Sequence, residues 1–275
     1  MYRELIYEVN DPIATITLNR PERLNALTGR LLDEIKHAVA AAEADERVVG
    51  IILTGAGRGF SAGADMQGLK STAEGASRAD EDRLESAPGD PSLGPDFAIT
   101  YSYLLAVRKP LIAAINGPCA GLGFVIAMLC DMRFASETAI FTTAFANRGL
   151  IAEHGISWIL PRLIGPSRAL DLLWSGRRFD AAEAADLGVV NRVIAPDDLL
   201  AETEAYIKDL ATRSAPTSLM IMKQQVYKHL MVSLGDAMEE SNSLMEESLG
   251  RQDFKEGVDS YLEKRPPKFG RIAAS

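Results

Sequence analysis

Cysteine and histidine are both scarce in this chain of 275 residues, which narrows the chemistry that it can perform. The two cysteines, Cys119 and Cys130, stand in apolar sequence, so we expect reduced core residues and no disulfide framework. The three histidines, His37, His154 and His229, are scattered, and no group of His, Cys, Asp and Glu has the spacing of metal ligands. The sequence therefore predicts no metal site.

Long apolar runs and an excess of positive charge are also missing. No apolar run approaches the roughly 18 residues that suggest a membrane span, and the first residues lack the pattern of a secretion signal. We therefore expect a cytoplasmic protein that does not contact a membrane. Lys and Arg number 29 against 38 Asp and Glu, and the formal net charge of −9 argues against general nucleic-acid binding.

The sequence does contain a large apolar fraction, 47%, which is enough for one sizeable core. Strand and helix patterns alternate up to about residue 195, and every later segment is predicted to be helical. We therefore predict a β/α core over residues 1–195 and a helical region over residues 196–275. Local patterns in the core predict strands at 5–9, 13–18 and 48–53, a helix after the cap residue Thr28, a disordered insert or mobile lid at 66–95, and a helix at 97–107.

Residues 109–131 form the most informative stretch. The apolar run at 111–115 predicts a buried strand, and the apolar residues 124–130 predict a buried helix. The turn between them contains Asn116, Gly117, Pro118, Gly121 and Gly123. Such a turn lets another group approach the backbone, and a helix that begins there presents free N–H groups and the positive end of its dipole. The pattern predicts a site for a phosphate or a developing oxyanion, or else a strand–helix connection without a ligand.

Two short motifs at residues 54–65 suggest other chemistry, and both are incomplete. Gly55-Ala56-Gly57 begins like a dinucleotide-binding loop, but Phe60 occupies the third glycine position. The segment GFSAG at 59–63 matches the nucleophile elbow of serine hydrolases. Several loop residues separate Ser61 from the preceding predicted strand, however, and an elbow serine should follow its strand directly. A serine hydrolase is therefore disfavoured.

Several segments in the same order along the chain resemble the enoyl-CoA hydratase/isomerase (crotonase) superfamily. They are NRP at 19–21 with NAL at 25–27, GFSAGAD at 59–65, KPLIAAING at 109–117, residues 179–190, and residues 253–265. Each segment is weakly specific alone, but together they cover the chain from about Tyr2 to Phe269. The resemblance implies an α/β fold, a spiral of ββα units, with C-terminal helices that assemble a homotrimer or homohexamer. It also implies an acyl-CoA thioester substrate and no metal or redox cofactor.

The resemblance also implies a set of site residues. Two backbone amides, those of Ala64 and Leu122, are expected to stabilise an enolate, although the family usually has glycine where Leu122 stands. Tyr261 and Lys264 resemble positions that reach the CoA of a neighbouring subunit. The substrate-binding residues expected within one subunit are Arg23, Leu24, Ala26, Ala62, Gly63, Asp65, Met66, Gly121, Gly123 and Phe145.

The expected acid–base residue is Glu153. Hydratases of the family use two glutamates, and ungapped alignment gives Val125 and Phe145 at those positions, neither of which can transfer a proton. The segment GLIAE at 149–153 resembles the single-glutamate segment of the family's double-bond isomerases. We therefore expect an isomerase in which Glu153 moves one proton, with Phe145 and Trp158 around its carboxylate. Helix capping by Glu153, a hydratase, lyase or hydrolase, and a non-catalytic acyl-CoA binder are the alternatives.

Overall fold

The fold is built on a mixed sheet and on a series of helices, seen in a computed structural model that describes residues 2–74 and 84–273. The strands of these residues are β1 (Leu5–Asn10), β2 (Ile13–Leu18), β3 (Gly50–Gly55), β4 (Leu111–Ile115), β5 (Cys119–Ala120), β6 (Met132–Ser136), β7 (Ile140–Thr142), β8 (Phe179–Asp180) and β9 (Arg192–Ile194). The α-helices are α1 (Gly29–Ala44), α2 (Met66–Ala73), α3 (Tyr103–Ala106), α4 (Leu122–Met128), α5 (Ile156–Ile164), α6 (Pro166–Ser175), α7 (Ala181–Leu187), α8 (Leu199–Arg213), α9 (Pro216–His229), α10 (Leu234–Leu249) and α11 (Gln252–Glu263).

The main sheet has six strands in the order β1-β2-β3-β4-β6-β9. The first pair is antiparallel and the other pairs are parallel. A smaller sheet has the order β5-β7-β8 and lies across the end of β4, where the chain leaves the main sheet. Every residue of β3 and β4 is buried, as expected for central parallel strands that are covered on both faces.

Two different sets of helices cover the two faces of the main sheet. Alternate residues of β3, such as Ile51 and Leu53, face a large core that includes α1 and α4. The residue between them, Ile52, faces a smaller cluster that contains Ile207 of α8. Within the predicted helical region 196–275, α8 thus contributes directly to the packing of the sheet.

A hydrogen-bonded cluster around Asp131 attaches α9 to the sheet. The Asp131 carboxylate accepts from the Leu111 amide at 2.7 Å, from the Lys223 ammonium at 2.8 Å and from the Tyr227 hydroxyl at 3.0 Å. Burial, together with the negative charge of Asp131, raises the pKa of Tyr227. Two residues of a C-terminal helix thus complete the polar contacts of a carboxylate that also holds the first residue of β4.

Most of the predicted elements are present. The three early strands are found, and the Thr28 hydroxyl caps α1 by accepting from the Leu31 amide at 3.0 Å. Both cysteines are free and buried, and burial raises the pKa of the Cys130 thiol to about 12. Among the described residues, no helix is long and apolar enough to cross a membrane, and no cluster of candidate metal ligands occurs.

Two local predictions need correction. The helix predicted at 97–107 is wrong, because only Tyr103–Ala106 is α-helical. The Ser102 hydroxyl accepts from the Ile99 amide at 3.0 Å, and Thr100 has a φ of 40°, so side-chain bonding replaces the helical pattern there. The insert or lid predicted at 66–95 begins as helix α2, and its residues 75–83 lie outside the described part of the chain.

Candidate active site

The turn before α4 has the geometry that the glycines suggest. Gly121 is the N-cap residue, with φ 50° and ψ −121°, and its amide donates to the Thr142 carbonyl at 3.1 Å. Leu122 follows as the first helical residue, so the left-handed angle falls on glycine and leucine is tolerated at its own position. Among the described residues, no group accepts a hydrogen bond from the Leu122 amide. This amide is a free donor at the start of a helix.

A second free amide belongs to Ala64. Leu27 forms hydrogen bonds with the residues before and after Ala64. The Leu27 amide donates to the Gly63 carbonyl at 2.8 Å, and the Leu27 carbonyl accepts from the Asp65 amide at 3.0 Å. The Ala64 amide lies between these bonds and has no acceptor among the described residues. Two segments that are far apart in sequence thus supply the two donors.

Gly63 brings these two segments together. Its φ is 94°, and a Cβ at this position would lie 2.8 Å from the Ala120 carbonyl oxygen and 3.4 Å from the Leu122 nitrogen. No real side chain fits at the first distance. The close approach of the two backbones therefore depends on glycine, and it directs both free amides toward one cavity.

Ser61 is a structural residue at this site. Its hydroxyl donates to the Asn25 carbonyl at 2.9 Å and accepts from the Gly63 amide at 3.2 Å, and the residue is fully buried. A Cβ on Gly123 would lie 2.6 Å from the Ser61 Cβ, so the serine fills the space beside α4. Its hydroxyl is not available as a nucleophile, in agreement with the rejection of the serine-hydrolase motif.

The free amides open into a cavity of about 490 Å³. Eleven of the predicted site residues line it: Arg23, Ala26, Ala62, Gly63, Ala64, Asp65, Met66, Gly121, Leu122, Phe145 and Glu153. Its wall also contains residues outside that set, namely Arg20, Gln67, Thr143, Ala144, Arg148, Leu150 and His154. These residues have no common sequence motif, and only the folded chain brings them to the cavity.

A cationic residue orders one side of this cavity. The Arg20 guanidinium donates to Asp65 at 3.0 Å and to the Ala26 carbonyl at 2.6 Å. Burial alone would raise the pKa of Asp65, but the hydrogen bonds from Arg20 and from the Gln67 amide hold it below its ordinary value. Arg20 is thus an internal brace of the loop, whereas Arg23 is exposed and free to meet a negatively charged ligand.

Comparison with known proteins identifies the family of this chain. The family model described as "Enoyl-CoA hydratase/isomerase" matches residues 8–271. A Rhizobium meliloti protein named "Probable enoyl-CoA hydratase" is 35% identical, with 98% of each chain covered. A crystal structure of an enoyl-CoA hydratase from Polaromonas has 28% identity and a TM-score of 0.85 over 96% of this chain and 99% of that one. Another, from Bacillus anthracis, has 26% identity and a TM-score of 0.84 over 98% and 99%.

The chain belongs to the enoyl-CoA hydratase/isomerase family. Its fold is the crotonase fold, with the α/β core and helical C-terminal region that the resemblance implied. Members of this family process acyl-CoA thioesters. A role of the two free amides in enolate stabilisation stays a prediction.

The two residues expected at the hydratase positions, Val125 and Phe145, are both buried. Phe145 is 5% exposed and lines the cavity, while Val125 is fully buried inside α4 and does not reach it. Trp158, which we expected around the carboxylate of Glu153, instead lines a second cavity and stacks on Arg162. The part of that expectation that concerns Trp158 is therefore wrong.

The Glu153 carboxylate lies on the loop before α5 and lines the cavity that contains both free amides. Its side chain is 33% exposed, and its Oε2 atom is 3.9 Å from Nε2 of His154. The N-cap residue of α5 is Gly155, and no side chain caps this helix. Helix capping therefore does not account for Glu153.

Four of the predicted site residues lie away from the cavity wall. Leu24 has a φ of 49° and accepts from the Ala62 amide, so it shapes the loop, and Gly123 packs on Ser61. Tyr261 is 83% exposed, and Lys264 is the exposed C-cap residue of α11. A role for Tyr261 and Lys264 in the site of a neighbouring subunit stays a prediction.

Proposed function

We propose that this protein is an enoyl-CoA isomerase, in which Glu153 is the single acid–base residue. The observation that carries the proposal is that one cavity contains the Glu153 carboxylate and the free amides of Ala64 and Leu122. The apolar Val125 and Phe145 at the two hydratase positions support it further, because adding water needs a group that activates the water. A double-bond shift needs only one base that returns the proton it has taken.

The reaction follows from these groups. The thioester oxygen accepts hydrogen bonds from the amides of Ala64 and Leu122, and Glu153 removes a proton from carbon 2 of a 3-enoyl-CoA. The electron pair of the broken C–H bond delocalises over the diene to the oxygen. Glu153 then returns the proton to carbon 4, which gives 2-enoyl-CoA. Each oxyanion donor contributes roughly 10²–10³ in rate, and general base catalysis roughly 10²–10⁴.

Binding of the CoA portion and assembly of the subunits belong to the same proposal. The exposed Arg23 lies at the cavity wall, where it can meet a phosphate of CoA. Helices α9, α10 and α11 expose a large apolar surface, which supports a homotrimer or homohexamer. Its exposed side chains include Met222, Val226, Leu234, Met238, Met245, Leu249, Phe254, Val258 and Leu262.

The decisive experiment measures two reactions with wild type and Glu153→Gln. We expect conversion of 3-enoyl-CoA to exceed hydration of 2-enoyl-CoA, and we expect Glu153→Gln to lower isomerisation about 10²-fold or more, since it keeps the shape but removes the base. Glu202→Gln is the matched control, because Glu202 is exposed on α8 and lies outside the cavity. Near-full isomerase activity of Glu153→Gln would disprove the assignment.

Hydration is the second candidate function. The relatives described above carry hydratase names, and His154 adds a second titratable group 3.9 Å from Glu153. The same assay separates the two functions. Hydration that is faster than isomerisation, and that is lost in both Glu153→Gln and His154→Gln, would favour a hydratase that uses this pair. A protein that binds acyl-CoA but converts neither substrate would be a non-catalytic binder.

A further inference from the structure

A second cavity, of about 420 Å³, adjoins the first one at His154, which lines both. Its wall is largely aromatic and aliphatic, with Phe97, Tyr101, Leu105, Leu129 and Trp158 among its residues. The wall also contains the polar residues Asp96, Thr100 and Ser102. The volume lies within the range of roughly 300–1,000 Å³ that is typical of small-molecule sites. An apolar cavity that shares a wall residue with a charged cavity gives a single ligand access to two different environments.

The second cavity is built in advance of any ligand. Leu105 and Leu129 are only 4% and 3% exposed, so its floor belongs to the core. The Ser102 hydroxyl, one of its few polar groups, bonds to the Ile99 amide at 3.0 Å and to the Asp96 carbonyl at 2.7 Å. The Ser102 hydroxyl therefore bonds to the backbone of the wall itself, on a loop that also carries the polar residues Asp96 and Thr100.

The residue at the junction is held in an unusual conformation. His154 has a φ of 55°, which non-glycine residues rarely adopt. Its ring packs edge-on against Tyr101, with 5.1 Å between the ring centroids, and its Nε2 atom is 3.9 Å from the Glu153 carboxylate. A strained backbone conformation of this kind persists only where neighbouring groups hold it in place. His154 thus keeps the second cavity next to Glu153, the group proposed to act on the acyl carbons.

We propose that the second cavity holds the acyl group, and that the enzyme is specific for acyl-CoAs with a large apolar acyl group. This inference rests on the proposed function, which directs the reacting carbons to Glu153. Carbons beyond the reacting ones continue from Glu153 past His154 into the apolar cavity. The charged groups of the first cavity, among them Arg23 and Arg148, suit the polar CoA portion instead. A linear chain and a ring-bearing group share the required chemistry.

The first test measures binding without turnover, so that it does not depend on the isomerase assignment. Dissociation constants of saturated acyl-CoAs are measured by calorimetry for an acetyl-to-decanoyl series and for a phenylalkanoyl-CoA. Each methylene that enters the cavity should tighten binding about fourfold until the cavity is full. The comparison of decanoyl with phenylalkanoyl identifies the preferred shape. Equal affinity of acetyl-CoA and all longer acyl-CoAs would disprove the inference.

Variants of residues in the wall of the second cavity show whether the acyl group binds there. Trp158→Ala should weaken binding of the longest linear or ring-bearing acyl-CoA about 10-fold or more, and should change acetyl-CoA binding less than threefold. Trp174→Ala is the matched control, because Trp174 is 71% exposed and lines neither cavity. Equal weakening of short and long acyl-CoAs by Trp158→Ala would disprove the inference. If a second copy of this chain covered the cavity, the affinity for acyl-CoA would not depend on the length of the acyl chain and would vary with protein concentration. That outcome would also disprove the inference.

Turnover of the 3-enoyl-CoA series separates this inference from the function on which it rests. A kcat/KM that rises with chain length supports both. Failure to convert any member, together with tighter binding of long acyl groups, would disprove only the isomerase assignment. Conversion of all members at equal kcat/KM would disprove only the specificity for large acyl groups.

Discussion

The two sides of the cavity are constructed very differently. On one side, the amides of Ala64 and Leu122 are part of a backbone that is fixed by buried hydrogen bonds. Ser61 bonds to Asn25, and the Asn25 side chain donates to the Gly59 carbonyl at 2.8 Å, with both residues fully buried. The part of the site proposed to stabilise the enolate is therefore built into the packed core that surrounds it.

On the other side, Glu153 lies on a lightly packed loop. Leu150 and Ile151 are 36% and 78% exposed, and among the described residues no hydrogen bond holds the Glu153 carboxylate. A rigid oxyanion site and a loosely packed base serve different purposes. The first defines the shared chemistry of enolate formation, and the second is a place where substitutions can change the reaction with little cost in stability.

The largest expected effect comes from breaking the rigid side at Gly63. Gly63→Ala would place a Cβ 2.8 Å from the Ala120 carbonyl oxygen at a φ of 94°, so the two free amides must move apart. We expect kcat/KM to fall about 10³-fold or more, because both donors lose their alignment. Gly235→Ala on α10 is the control, since a Cβ there meets only the Ser233 hydroxyl at 3.7 Å. Activity of Gly63→Ala within tenfold of wild type would contradict this account.

The next effect concerns stability and its dependence on pH. The buried Lys109 ammonium donates to the carbonyls of Ala42 at 3.0 Å and Asp45 at 2.6 Å, near the end of α1. Lys109→Met leaves these carbonyls without their donor, so we expect the free energy of unfolding to fall by about 1–3 kcal/mol. Chemical denaturation of both proteins measures this difference.

The pH dependence of that difference has a definite sign. Burial lowers the pKa of Lys109 from its ordinary 10.5 to about 8, so between these values the unfolded chain binds a proton that the folded one has released. Unfolding then takes up a proton, and the wild type gains stability relative to Lys109→Met as pH rises from about 8 toward 10.5. A difference that stays constant or shrinks between pH 8 and pH 9.5 would show that Lys109 is not held in this environment.

Ser61→Ala should have an intermediate effect, which lowers the stability of the fold and leaves the catalytic activity almost unchanged. The hydroxyl makes two buried hydrogen bonds, and their loss should lower the free energy of unfolding by about 1–3 kcal/mol. Activity at a temperature where the variant is folded should stay within tenfold of wild type. A loss of about 10⁴-fold would instead identify Ser61 as a nucleophile.

The smallest effect is expected on the loop of Glu153. Ile151→Ser changes an exposed side chain that lines neither cavity, so the free energy of unfolding should change by less than about 0.5 kcal/mol. Thermal unfolding of Ile151→Ser and of Ser61→Ala under the same conditions compares the two sides of the cavity directly. If Ile151→Ser lowered the unfolding temperature as much as Ser61→Ala does, the loop would be packed more firmly than its exposure indicates.

Local sequence patterns predicted the elements that depend on local chemistry. The apolar run of β4, the Thr28 cap and the glycine turn before α4 all depend on residues that are neighbours in the chain. The resemblance to the family added the residues around the two amides, and most of those line the cavity. The three local predictions succeeded because each rested on a few adjacent residues with a strict conformational requirement, whereas the roles of the site residues stay predictions.

Contacts between distant residues could not be predicted in the same way. The pairing of Arg20 with Asp65 joins residues 45 positions apart, and it makes Arg20 a brace of the loop. The position of Trp158 in the second cavity depends on how α5 is oriented, which apolar periodicity does not define. The break before α3 depends on one hydroxyl, that of Ser102, which competes for backbone groups in a sequence that otherwise favours a helix.

The position of α8 has a consequence for how the chain matures during synthesis. The ribosome releases β2, β3 and β4 well before Leu199 and Ile207, which cover one face of these strands. Until α8 emerges, Ile13, Ile52 and Ile112 form an uncovered apolar strip on a parallel sheet. A nascent chain that stalls before α8 would therefore present an apolar binding site for chaperones.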